Sequence, residues 1–186
     1  MNTELHEGNL HIAADPHSSE HNSHKENIIL IGMPGCGKST IGKPLAEQIG
    51  KTFVDADEEL VKTFQRSIPD IFATEGEEAF LDKETKVLEA LKDRTGLVIA
   101  TGGGCVTKAR NYPLLHKHGI IFWIQRDTAK LPTDVRPLSL STDLEQMYQD
   151  RKPMYEDFAD YIVYNPENPE KVVKEIRCLL NQIWDS

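Results

Sequence analysis

The sequence predicts an α/β fold in which a five-stranded parallel sheet lies between helices on both faces. Three observations predict it. From residue 27 onward, short β-rich runs alternate with helical stretches, the pattern of strands joined by crossover helices. The first apolar run, residues 28–31, ends in the glycine-rich segment Gly32-Met33-Pro34-Gly35-Cys36-Gly37-Lys38-Ser39-Thr40, which then enters a helical stretch. At 186 residues, 39% hydrophobic and 27% charged, the chain has core enough for one globular domain and no room for a second catalytic one.

The elements follow in order. Strands are expected at 28–31, 52–54, 97–100, 120–124 and 161–163, each a short run rich in Ile, Val or aromatic residues. Helices are expected at 38–49, between 58 and 92, near 108–117, around 144–155 and at 169–184. Ser67-Ile68-Pro69-Asp70 has the form of a helix start, with Ser67 as cap, Pro69 in the first turn and Asp70 reaching back. Pro44 falls inside the first helix, where it removes a hydrogen bond to the carbonyl of Thr40, so a local kink is expected there. Residues 1–26 hold five of the seven histidines (His6, His11, His17, His21 and His24), five acids and one lysine without apolar periodicity, and read as a disordered extension. The histidine spacing is irregular and suits no metal site. The folded domain is expected over 27–186.

Composition excludes several function classes. A net charge of −9 argues against nucleic acid as the main partner, because phosphate-backbone binding needs clustered Lys and Arg. No apolar run is long enough to span a bilayer and the first residues lack a signal-peptide pattern, so no membrane partner and a cytoplasmic location are expected. Cys36, Cys105 and Cys178 lack metal-ligand spacing. Cys36 and Cys105 lie in glycine-rich segments and read as small residues in closely packed backbone.

The chemistry begins at the first turn. A strand that ends in a glycine-rich loop and enters a helix aims backbone N–H groups and the positive helix terminus at one point, a site for polyphosphate. It makes the expected fold a three-layer sandwich of the P-loop NTPase type. Gly35, Cys36, Gly37, Lys38, Ser39 and Thr40 are the nucleotide-binding candidates. Lys38 would reach the β- and γ-phosphates and Ser39 would ligate magnesium. In an open parallel sheet, ligands gather beyond the carboxyl ends of the strands. After the second strand stand Asp55 and Asp57, whose alternate spacing puts both carboxylates on one side of an extended chain. One would hold magnesium through water, and the other would accept a substrate hydroxyl proton; a helix cap at one of them is the competing reading. After the third strand, Gly102-Gly103-Gly104 lets backbone N–H groups approach a ligand. Residues 127–142, with two prolines, suit a lid that carries Arg136 to the transferring phosphate.

These residues, together with Phe53-Val54-Asp55-Ala56-Asp57, Gly76-Glu77-Glu78-Ala79-Phe80, Arg136-Pro137-Leu138 and Arg151-Lys152-Pro153-Met154-Tyr155, resemble the shikimate kinase family in order and spacing, from about residue 27 to residue 184. The resemblance implies ATP-dependent phosphorylation of the 3-hydroxyl of shikimate, in aromatic amino-acid synthesis, by a monomer with Mg2+. It implies Lys38, Asp57 and Arg136 as catalytic residues, Asp57, Gly103 and Arg151 as the acceptor site, and Ser39 with Asp55, through water, as the metal site. Arg136 also counts among the ATP contacts, and the turn at residues 165–169 corresponds to the adenine region.

One position departs from the family pattern. That pattern has an arginine after the phenylalanine of Gly-Glu-x-x-Phe, where it clamps the acceptor carboxylate with Arg151; here the residue is Leu81. A charge-assisted contact of that kind is worth about 1.5 to 3 kcal/mol, roughly ten- to a hundredfold in affinity. Three outcomes are open: weak shikimate binding helped by Lys83 or Lys86, another small polyol acid as acceptor, or a non-catalytic nucleotide-binding relative.

Overall fold

The buried runs that define the strands assemble one parallel sheet. The computed structural model describes residues 26–132 and 144–185. Strands β1 (Asn27–Ile31), β2 (Thr52–Asp55), β3 (Leu97–Ala100), β4 (Gly119–Gln125) and β5 (Tyr161–Tyr164) lie in the order β2-β3-β1-β4-β5. All four pairings are parallel; Ile29 stands opposite Ile99 on one side and Ile121 on the other. The three inner strands are buried along nearly their whole length, while the edge strands β2 and β5, each with a neighbouring strand on one side, are mixed. Because β1 lies between β3 and β4, the chain reverses its direction of winding there, and the loop after β1 opens into the crevice where such sheets bind ligands.

Helix α1 (Lys38–Ile49) packs beside α6 (Pro169–Trp184), α2 (Ala56–Phe64) packs on α3 (Ile68–Leu91), and α4 (Asn111–His116) and α5 (Leu144–Phe158) pack against β4. Helix α1 is continuous across Pro44, the position where a local kink is expected. Thr40, whose carbonyl loses its partner, is exposed, so water can serve that group. The helix expected near 108–117 is shorter and is preceded by a 3-10 turn at Cys105–Thr107.

Ser67 caps α3 by accepting from the N–H of Asp70 at 3.3 Å, as its position predicts. The Asp70 carboxylate does not reach back; it accepts from Arg66 Nε at 2.6 Å. Gly76 interrupts α3 at φ 83°, ψ 178°, a left-handed backbone open to glycine. Buried side chains are dense after it (Phe80, Leu81, Glu84, Thr85, Val87, Leu88, Leu91) and reduce to Ile71 before it.

Candidate active site

A cleft of about 830 Å³ runs along the carboxyl ends of β1, β2 and β3. Its floor is the phosphate loop. Gly35 and Gly37 take φ of 77° and 105°, and side chains there would meet Pro132 and Asn165. Lys38, only 9% exposed, donates from Nζ to the carbonyls of Gly32 at 2.8 Å and Met33 at 3.0 Å. Those bonds hold the ammonium group over the loop mouth. The Cys36 side chain is buried in the core, so only its backbone is available to a ligand; its carbonyl accepts from Asn165 Nδ2 at 2.9 Å, which ties the end of β5 to the loop.

Ser39 Oγ donates to Asp55 Oδ2 at 2.5 Å. Asp55 ends β2 and also caps α2, accepting from the N–H groups of Asp57 at 3.0 Å and Glu58 at 3.4 Å. Capping and proximity to Ser39 therefore fall on the same side chain. A hydroxyl and a carboxylate are hard oxygen donors of the kind magnesium takes. Among the described residues no three His, Cys, Asp or Glu side chains form a metal cluster, so further ligands would come from phosphate oxygens and water.

Asp57 lies in the first turn of α2, not in the extended segment expected from its spacing, because the cap at Asp55 starts the helix. It still lines the cleft with Asp55. Its Oδ1 is buried and has no hydrogen-bond partner. Burial raises the Asp57 pKa, Lys38 lowers it and Asp55 raises it.

The far wall comes from α3 and α5. Ile68, Phe72, Phe80 and Leu81 make it apolar, with the Phe72 and Phe80 rings 4.4 Å apart. Leu81 is 7% exposed. Neither lysine expected near it lines the cleft: Lys83 bonds Glu75 at 2.5 Å and covers the Phe64 ring, and Lys86 is exposed. Arg151, from α5, does line it, donating to the Gly103 carbonyl at 3.2 Å and lying 3.8 Å from Glu77. Tyr155, packed under Trp123, donates its hydroxyl to the same carbonyl at 2.7 Å. The Gly103 carbonyl is thus occupied, and its N–H is the group left for a ligand.

The three glycines also serve a packing purpose the sequence reading did not include. A Cβ at Gly102 would fall on Glu84 Oε1, one at Gly103 would press on Pro34, and one at Gly104 would meet Leu81. Cys105 is buried beneath them, its thiol donating to Thr101 Oγ1 at 3.2 Å and pushed up to about 12 by burial and by Glu84, which suits packing and not redox chemistry.

Two charged residues escaped the sequence reading. Arg126 lines the cleft, donating to the Gly35 carbonyl at 3.3 Å and to Glu167 at 2.9 Å; nothing in its local sequence marks it. Glu84 lies behind the cleft wall, and it stands in the apolar stripe of α3 one turn after Leu81 and one before Leu88, a misfit that periodicity could have exposed. Arg136 and most of the expected lid fall outside the described residues, as do residues 1–25 of the extension.

Comparison with known proteins covers both ends of this cleft. The family model for shikimate kinase matches residues 34–181. A shikimate kinase of Synechococcus sp. (strain CC9605) is 40% identical over 164 residues, spanning 83% of this chain and 82% of its own. One of Vibrio parahaemolyticus is 39% identical over 158 residues, 80% and 92% of the two chains. The solved shikimate kinase from Acinetobacter baumannii in complex with shikimate superposes with a TM-score of 0.79 at 32% identity, covering 84% of this chain and 93% of that one. The matched stretch begins in the phosphate loop and ends within α6, and on that evidence the chain belongs to the shikimate kinase family of enzymes.

Proposed function

We propose that this enzyme transfers the γ-phosphoryl group of ATP to the 3-hydroxyl of shikimate, giving shikimate 3-phosphate and ADP. One observation carries the reading beyond kinship: a single cleft joins a phosphate-binding loop at one end to Asp57 and Arg151 at the other. The triphosphate lies along the loop, with Lys38 exchanging its carbonyl partners for phosphate oxygens. Ser39 and, through water, Asp55 would hold Mg2+, which would supply neutralisation of the phosphate charge. Arg151 pairs with the acceptor carboxylate, and the Gly103 N–H and Asp57 hold its hydroxyls. Asp57 takes the proton as the acceptor oxygen bonds to phosphorus and the bond to the ADP oxygen breaks. Arg136 contributes charge from its segment, and Arg126 supports the loop through Gly35. The enzyme acts as a cytoplasmic monomer in this reading.

The buried, apolar Leu81 favours one second reading, an acceptor polyol with a smaller carboxylate or none. ADP release from Mg-ATP, with shikimate titrated to tens of millimolar, separates the two, since that range covers a loss of about a hundredfold in affinity. Saturation with a high KM supports shikimate. Absence of shikimate-dependent release, with ATP binding intact, rejects it and directs the search to other cyclic and linear hydroxy acids.

A further inference from the structure

The first residue of the turn at 165–169 is buried behind the phosphate loop. Asn165 is 2% exposed and does not line the cleft. Its backbone N–H donates to the Gln125 carbonyl at 2.7 Å, one residue beyond the last pair of the β4–β5 ladder, so the sheet fixes where the side chain stands. Both polar atoms of that side chain are engaged. Oδ1 accepts from the Glu167 N–H at 3.0 Å, and Nδ2 donates to the Cys36 carbonyl at 2.9 Å, across 129 positions of sequence. A Cβ on Gly37 would lie 2.8 Å from Nδ2, so the amide sits directly against the loop.

Successive peptide units of the loop are tied from different sides. In the Gly35–Cys36 unit the carbonyl accepts from Arg126 at 3.3 Å and the N–H donates to the Met33 carbonyl at 3.2 Å. The Gly37 carbonyl accepts from the Ile41 N–H at 2.9 Å, where α1 begins. Among the described residues, the Cys36–Gly37 unit between them is held by Asn165 alone. That unit is planar and trans, so a carbonyl turned back to Asn165 points the Gly37 N–H the opposite way, toward the cleft that Gly37 lines. Glycine would otherwise let the unit rotate, because its φ of 105° at this position is one of many values it can take.

We propose that Asn165 is a positioning residue for nucleotide binding: by holding the Cys36 carbonyl from behind, it keeps the Gly37 N–H presented to the polyphosphate before ATP arrives. Ordering that unit in advance removes part of the cost of binding. Although the 165–169 turn corresponds to the adenine region, its first residue acts on the phosphate end, and does so without touching the ligand.

The inference deepens the proposed reaction and rests on it only for the phosphate loop as the ATP site, so its test needs no acceptor. Calorimetric titrations of the whole enzyme with Mg-ATP, tripolyphosphate and adenosine compare the parent with Asn165→Ser, whose hydroxyl can still accept from the Glu167 N–H but is too short to reach Cys36. ATP and tripolyphosphate should weaken by a common factor of about three to ten, the worth of one hydrogen bond, while adenosine binds as it does to the parent. Asn165→Thr, with the same hydroxyl and more bulk, should give the same pattern, which separates the lost bond from a cavity. Equal weakening of all three ligands is general loosening of the fold, and weakening of ATP and adenosine without tripolyphosphate is a base contact; either pattern, or no change in any ligand, overturns the positioning role. A parent that binds neither ATP nor tripolyphosphate overturns the proposed reaction as well.

Discussion

Leu81→Arg should lower the acceptor KM by about ten- to a hundredfold, the value of one charge-assisted contact of about 1.5 to 3 kcal/mol. The structure sets both sides of the exchange. Leu81 is 7% exposed and lines the apolar wall beside Phe72 and Phe80, so its removal withdraws a buried side chain worth about 1.5 to 3 kcal/mol of stability. A guanidinium at that place would be ruinous if unpaired, but Glu84 lies one turn further on, also without a partner, and its ionisation answers the new charge. The variant should therefore fold, with a lower unfolding midpoint. The contact to the acceptor carboxylate exists both before and during phosphoryl transfer, so its gain should appear in KM. Initial rates of ADP release at saturating Mg-ATP, with shikimate varied, give that constant. An unchanged KM in a folded variant would refute the reasoning and mean that this wall never faces the carboxylate.

Stability should fall as pH rises from about 4.5 to about 8, because the unfolded chain releases the Glu84 proton over that range while the folded chain keeps it. The loss reaches up to about 1.4 kcal/mol per pH unit, and urea midpoints across the range should show it; in Glu84→Gln the slope should flatten, leaving a remainder from Asp57, which is raised in the same direction. Gly102→Ala should cost about 1 to 3 kcal/mol by overpacking, since the new methyl lands on Glu84. Shortening Glu84 to alanine in the same chain should recover part of that, a coupling that a double-mutant cycle of midpoints would measure. Arg151→Lys keeps the charge but loses the planar fork that reaches Gly103, and should raise the acceptor KM about tenfold with the ATP KM unchanged.

Much of the fold was legible because the inner strands are continuous apolar runs with a glycine-rich turn behind the first, and few other structures satisfy both. The site was legible where chemistry and local backbone coincide, as at Lys38 and Ser39. It was less so where tertiary packing decides. Asp57 belongs to a helix because Asp55 caps one, which the alternate spacing of the two acids did not convey. The three glycines announced a close approach, but the groups approaching from behind include Glu84, Leu81 and Pro34, all distant in sequence. Lys83 looked like a substitute cation by number alone, yet Gly76 and the turn of α3 direct it to Glu75. Arg126 reaches the loop across 91 positions, a relation no local pattern encodes.

The interruption at Gly76 gives α3 a division of labour. The stretch after it is anchored in the core by seven buried side chains; the stretch before it buries only Ile71 fully, with Ile68 and Phe72 half-buried against the core and lining the cleft. Across the joint run the Phe72–Phe80 ring contact at 4.4 Å and the pair between Glu75 and Lys83, the latter worth at most about 1 kcal/mol. Half of the acceptor wall is thus mounted on a lightly held arm and half on bedrock. Amides of 68–75 should exchange with solvent faster than those of 80–91, and a shift in the acceptor pocket can be absorbed at the arm while Leu81, Glu84 and the phosphate loop keep their places.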